Sequence, residues 1–89
     1  VPTFNDNVGY FDMSSATNCG FMFYGTSMST ANCDALLIGW TRWSNGQSNI
    51  TLNSNVPLHL GTTSYTLGGD AEAAFNYLVG IKLWSITIL

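Results

Sequence analysis

Residues 11–40 read Phe11-Asp-Met-Ser-Ser-Ala-Thr-Asn-Cys-Gly-Phe-Met-Phe-Tyr-Gly-Thr-Ser-Met-Ser-Thr-Ala-Asn-Cys-Asp-Ala-Leu-Leu-Ile-Gly-Trp40, and the rest of the chain is organised around them. A polar lead runs into a compact apolar turn, which runs into a capped helix. Ser29 or Thr30 supplies the hydroxyl that accepts from a free N–H at the helix start, with Met28 placed to staple the entry. Cys33, Leu36, Leu37 and Trp40 then recur at i, i+3, i+4 and i+7, an apolar stripe that predicts one buried face. Ala31 and Trp43 extend the stripe. Ile38 falls off it, so the helix is expected to touch something on a second side. Asp34 lies near the positive end of the helix dipole and Arg42 suits the negative end. Asn45-Gly46 is the expected stop. Ahead of the helix, the bracketing glycines of Cys19-Gly-Phe-Met-Phe-Tyr-Gly25 predict a single helical or 3₁₀ turn that docks Phe21, Met22 and Tyr24 into the core.

Working outward, residues 1–9 are Asn- and Asp-rich without a period and read as an N-terminal arm, or as the end of an upstream repeat. Residues 10–89 then form a single domain. Tyr10–Met13 has the alternation of a short strand, as does Asn49–Asn53. Val56, Leu58 and Leu60 alternate with Pro57 and His59, and Pro57 argues for an edge strand. Asp70 opens a second helix with Ala71, Ala74, Phe75 and Leu78 at helical spacing, and Gly80 closes it. Trp84, Ile86 and Ile88 alternate with Ser85 and Thr87, which predicts a last strand with one buried face. The expected class is α/β, with a small α+β fold as the alternative, built from two short helices and about four short strands.

Composition narrows the function. At 89 residues the chain makes one domain and buries only about 60–65% of its unfolded surface. Apolar residues are 46% of the total and charged residues only 8%, far below the roughly 25% of an ordinary soluble domain. Nine Asn, nine Ser and ten Thr supply the polarity instead. Such a surface lacks the repulsion that keeps crowded proteins apart, and it suits an extracellular site, a cell surface or a virus particle. Two cations, Arg42 and Lys82, are too few to neutralise a row of phosphates, so nucleic acid is not an expected partner. No apolar run is long enough to span a bilayer, so membrane insertion is not expected.

The chemistry of catalysis has little to work with. His59 is the only histidine, and no GxSxG elbow surrounds any serine. The five acids, Asp6, Asp12, Asp34, Asp70 and Glu72, have local roles in turns, caps and helix first turns. No metal-ligand spacing is present, and no cofactor and no catalytic residue is expected. Cys19 and Cys33 lie 14 residues apart. They read either as a disulfide, stabilising by about 3 kcal/mol, or as two small buried hydrophobes. Tyr24, Ile38, Trp43 and Tyr65 are the candidate interaction surface. Trp43 and Tyr65, at a helix end and in a loop, are also the aromatics best placed for a carbohydrate platform.

Asp12-Met-Ser-Ser-Ala-Thr-Asn-Cys-Gly-Phe-Met-Phe-Tyr-Gly-Thr-Ser27 resembles the repeat of BspA-like leucine-rich-repeat surface proteins. Ser29–Trp40 is similar to the segment that closes such arrays, as are Ala73–Val79 and Trp84–Thr87, so the resemblance covers roughly Tyr10 to Thr87. Cys19 and Cys33 depart from it, standing where apolar or aromatic residues are more usual. The resemblance implies a terminal repeat with its closing segment in a leucine-rich-repeat-like unit. It further implies display and binding at an outer surface without catalysis, to a neighbouring protein or further copies of the chain. Similar modules belong to phage structural proteins, so a capsid-decorating or tail-fibre component is the alternative, and a carbohydrate-binding module a second one. A lone repeat cannot bury its apolar face unaided, so its Phe21–Tyr24 turn is expected to need a neighbour on the upstream side.

Overall fold

The computed structural model describes residues 6–88; the first five residues of the predicted arm lie outside the described part. Two helices and two short strands form a small α+β fold, in the order α1 (Thr30–Trp40), β1 (Pro57–His59), α2 (Asp70–Gly80) and β2 (Ser85–Thr87). Ser29 caps α1, its hydroxyl accepting from the Asn32 N–H at 3.2 Å. The predicted stripe is the buried face, with Cys33, Leu36, Leu37 and Trp40 fully enclosed. The helix ends at Trp40 and not at Asn45-Gly46. Thr41 is its C-cap, and its hydroxyl turns back to the Leu37 carbonyl at 2.9 Å. Arg42 then adopts a φ of +50°, which takes Trp43 off the helical stripe. Arg42 does serve the helix C-terminus, donating to the Gly39 carbonyl, and it reaches on to the Gly9 carbonyl at 3.1 Å.

β1 and β2 pair in parallel, Leu58 opposite Ile86. Two further parallel bridges extend the ladder: Cys19 with Leu58, and Ser27 with Thr62. The order across it is therefore Cys19, β1, β2, and β1 lies in the middle. Pro57 is tolerated there because β1 reaches β2 through Val56 and Leu60. The N–H that proline lacks would point toward Cys19, on the side where only one residue is bridged. A second line of contacts runs below in the same order: the Asn53 amide donates to the Ala16 carbonyl at 3.0 Å, and the Trp84 indole N–H donates to the Asn53 carbonyl at 2.8 Å. The chain thus climbs in three tiers, led in turn by Cys19, Leu58 and Ile86, with α1 and α2 packed together beside them.

Two of the four predicted strands are absent. Residues 10–13 lie in a bend, where the Phe11 N–H bonds to the Val8 carbonyl. Residues 49–53 form no strand, and Ile50 lies in a bend. Asn49 spends its N–H on the Thr41 carbonyl and its amide on the carbonyls of Arg42, Ser44 and Gln47, closing the turn behind α1. Alternation there reflects burial of Leu52 and partial burial of Ile50 against the core, and not membership of a sheet.

The end of the supposed arm belongs to the core. Val8 is buried, and its carbonyl accepts from the Trp40 indole N–H at 2.8 Å. Next to it the Gly9 backbone crosses α1 at Gly39 so closely that a Cβ on either glycine would collide with backbone of the other segment. Residues 6–13 thus cover one flank of α1, while the 63–66 loop and α2 cover the other. Asp34 faces that second flank, accepting from the Thr66 N–H at 2.8 Å and its hydroxyl at 2.6 Å.

Candidate interaction surface

The turn after Cys19 carries Phe21, the most exposed large apolar side chain among the described residues, with Met22 and Tyr24 exposed beside it. The Asn18 side chain accepts from the Gly20 N–H at 2.8 Å, a local closure typical of Asx turns. Cys19 is tied to β1 on both sides, its N–H to the Pro57 carbonyl at 2.7 Å and its carbonyl to the His59 N–H at 3.3 Å. Successive turn bonds, Met22 to Cys19, Tyr24 to Phe21 and Thr26 to Phe23, coil the backbone tightly. The chain therefore turns only one of its four large side chains inward. Phe23 is buried and meets the Trp40 ring at 6.1 Å. Phe21 is 85% exposed and Tyr24 62% exposed, with Met22 beside them. This corrects the expectation that Phe21, Met22 and Tyr24 dock into the core.

The turn is held from below by the 59–62 corner. Gly61, at φ +74°, fits between the Phe23 and Thr26 carbonyls, where a Cβ would come within 2.6 Å of both oxygens. The Gly61 N–H donates to His59 Nδ1 at 3.0 Å, so that nitrogen is an unprotonated acceptor. The imidazole also packs edge-on against Tyr24, ring centres 5.1 Å apart, and it is half-buried and not outward on an edge. Asn18, Cys19, Gly20, Phe21 and Met22 line an open recess of about 440 Å³, with no charged residue in its wall among the described residues.

Of the four residues expected to form the surface, only Tyr24 is exposed. Ile38 and Trp43 are partly buried against the core, and Trp43 meets Tyr77 at 5.8 Å. The Trp43 indole N–H is buried with no hydrogen-bond partner among the described residues. Tyr65 stacks on Phe75 at 4.6 Å, and burial raises its pKa. The four do not converge. Phe21 and Met22 are the residues that sequence reasoning missed as surface, and the flanking Gly20 and Gly25 were the available hint, since a tight turn cannot bury consecutive side chains.

The cysteines are free and both are buried. Cys19 sits in the ladder beside β1 and Cys33 on the inner face of α1, the arrangement of the second reading, two small buried hydrophobes. Burial pushes the Cys33 thiol up to about 11, opposed in part by the Thr63 side chain, and burial raises Cys19 as well. Neither is therefore a reactive thiolate at neutral pH. Thiol titration with Ellman's reagent is expected to find no fast-reacting thiol in the native chain and two after denaturation. Because the folded Cys33 resists ionisation that the unfolded chain permits, its contribution to stability is complete below pH 9.0 and is lost as pH rises toward about 11. A melting curve that steepens its fall above pH 9.0 in the natural chain, and less so in Cys33→Ala, is the expected signature.

Charge is committed elsewhere. Arg42 is spent on the carbonyls of Gly9, Tyr10 and Gly39. Hydrogen bonds from Ser14 lower the Asp12 carboxyl below its ordinary range, with Arg42 assisting. Among the described residues no cluster of His, Cys, Asp or Glu could hold a metal ion, and no helix is long and apolar enough to cross a membrane.

What the geometry defines is a small α+β domain with an exposed aromatic turn at one end of a parallel ladder. The chain matches no family model, no curated protein and no solved structure.

Proposed function

We propose that this chain is a non-catalytic interaction module that engages a neighbouring protein through Phe21, Met22 and Tyr24. In this reading it is a unit of BspA-like leucine-rich-repeat character, displayed at a cell surface or on a virus particle. The observation that carries it is the exposure of these three side chains together at the open end of the ladder. Large apolar groups grouped on a small domain mark a contact site, whereas single ones do not. The low charge supports the same reading, since a neutral, amide- and hydroxyl-rich surface packs against neighbours without burying ions. His59 supports it too, because its Nδ1 is engaged by a backbone N–H and its ring by Tyr24, which leaves the only histidine in a structural role.

The test is photocrosslinking from position 21, with benzoyl-phenylalanine in place of Phe21, in the cell or particle that makes the protein. A discrete protein adduct is the expected result, a second copy of the chain included. Absence of any protein adduct, or binding to glycans alone, overturns the reading.

A further inference from the structure

We infer that the partner at this end is a second copy of the chain, added head to tail so that its β2 edge continues the ladder beyond Cys19. The inference rests on the interaction-module reading and names its partner. It is carried by what the two ends of the ladder present. At the upstream end, Cys19 turns both of its main-chain groups to β1. Beside it the Asn18 N–H and the Gly20 carbonyl have no hydrogen-bond partner among the described residues, while the Gly20 N–H is held by the Asn18 side chain at 2.8 Å, so this edge is open except at that one donor. At the downstream end, Ser85 and Thr87 carry the bonds from β2 to Val56 and Leu60, so the N–H and carbonyl of Ile86 face the outer edge. The two edges run in the same direction, because every pairing between them is parallel. An outer strand with open donors and acceptors is a template for another strand, and here the complementary template is on the same molecule.

The side chains agree with this pairing. Phe21 and Met22 flank the upstream edge. The connector from α2 into β2 exposes Ile81 at 68% and Leu83 at 57%. Leu83 holds a φ of +59°, a costly conformation for a branched side chain, and it points a leucine at solvent when the chain stands alone. The segment before α1 carries two exposed acids, Asp6 and Asp12, and the downstream connector carries Lys82. A head-to-tail contact joins two different edges, the Cys19 edge of one copy and the β2 edge of the next. Such a contact is heterologous, and translation along the ladder does not close on itself.

Sedimentation velocity of the purified chain from about 1 µM to about 1 mM, the range in which modest interfaces associate, tests this. The expected result is a weight-average size that grows with concentration without a plateau at the dimer. Phe21→Glu and Ile81→Glu each block one end, and each alone is expected to lose association by at least about tenfold. Mixed together they should recover a one-to-one dimer and stop there, because each retains the end that the other lacks. Both positions are exposed, and unchanged circular dichroism checks that the variants fold. A monomer at every concentration, a plateau at the dimer in the natural chain, or a mixture that stays monomeric overturns the second-copy inference. A monomeric chain that still crosslinks to a different protein from position 21 overturns this inference alone and leaves the interaction module standing. Failure of both removes both.

Discussion

Gly39→Ala will lower the melting temperature by roughly 10 °C, although it puts a better helix former into the last turn of α1. Taken alone, the change from glycine to alanine in a helix is favourable by about 1 kcal/mol. The Gly9 backbone lies against α1 at this point, and a Cβ on Gly39 would meet the Gly9 carbonyl oxygen, its carbon and its Cα at once. Backbone atoms cannot rotate aside as a side-chain tip can. Either α1 shifts within a core where Leu36, Leu37 and Trp40 are fully buried, or residues 8–10 lift away. Overpacking of this kind costs about 3 kcal/mol, so the net loss is about 2 kcal/mol. In a domain of this size that is a fall of roughly 10 °C. Gly80→Ala is the internal contrast. It lies at the last position of α2 with nothing within 4 Å of the added methyl, so a neutral or slightly raised melting temperature is expected. Thermal unfolding by circular dichroism measures both, and a Gly39→Ala variant as stable as the natural chain would show that the crossing is looser than described.

That pair also marks what the sequence could and could not disclose. The apolar stripe of α1, its Ser29 cap and the periodic face of α2 were legible, because capping and a 3.6-residue period are local properties. The Gly9–Gly39 crossing joins residues distant in the chain, and no local pattern announces it; composition alone made residues 1–9 look like an arm. Strands were over-read for a related reason. Alternation at 10–13 and 49–53 records which side chains are buried, but a strand exists only where a neighbour takes its hydrogen bonds. Asn49 spends its bonds on the turn behind α1. Pro57 misled in the opposite direction, since its missing N–H matters only on the side where it points. The tiers are tied by Asn53 and Trp84, whose partners are backbone carbonyls, and asparagine in a polar stretch reads only as a turn. The candidate surface was half legible. The sequence places Tyr24 both in the core and on the surface, and Phe21 and Met22 in the core alone, because an apolar run has the composition of a core.

Trp40→Ala is expected to unfold most of the domain at 37 °C, while Trp40→Phe should leave it folded but weakened. The indole is fully enclosed, it meets Phe23 at 6.1 Å, and its N–H satisfies the buried Val8 carbonyl at 2.8 Å. Truncation to alanine removes about 3–5 kcal/mol, against a total that for small domains begins near 5 kcal/mol. Phenylalanine keeps much of the packing and loses the donor, which leaves the Val8 carbonyl with the Phe11 N–H alone and costs about 1 kcal/mol, the net worth of one hydrogen bond. Urea unfolding followed through the fluorescence of Trp43 and Trp84 gives both numbers. The more searching measurement combines Trp40→Phe with Gly39→Ala. Each change releases the same stretch around Val8 and Gly9, one by removing its hydrogen bond and the other by pushing on its backbone. Once that stretch has lifted, the second change has little left to break, so the double variant should lose less than the sum of the two single losses. Strict additivity would mean that the two contacts act on separate parts of the fold, and would remove residues 6–13 from the cooperative core in which Val8 places them.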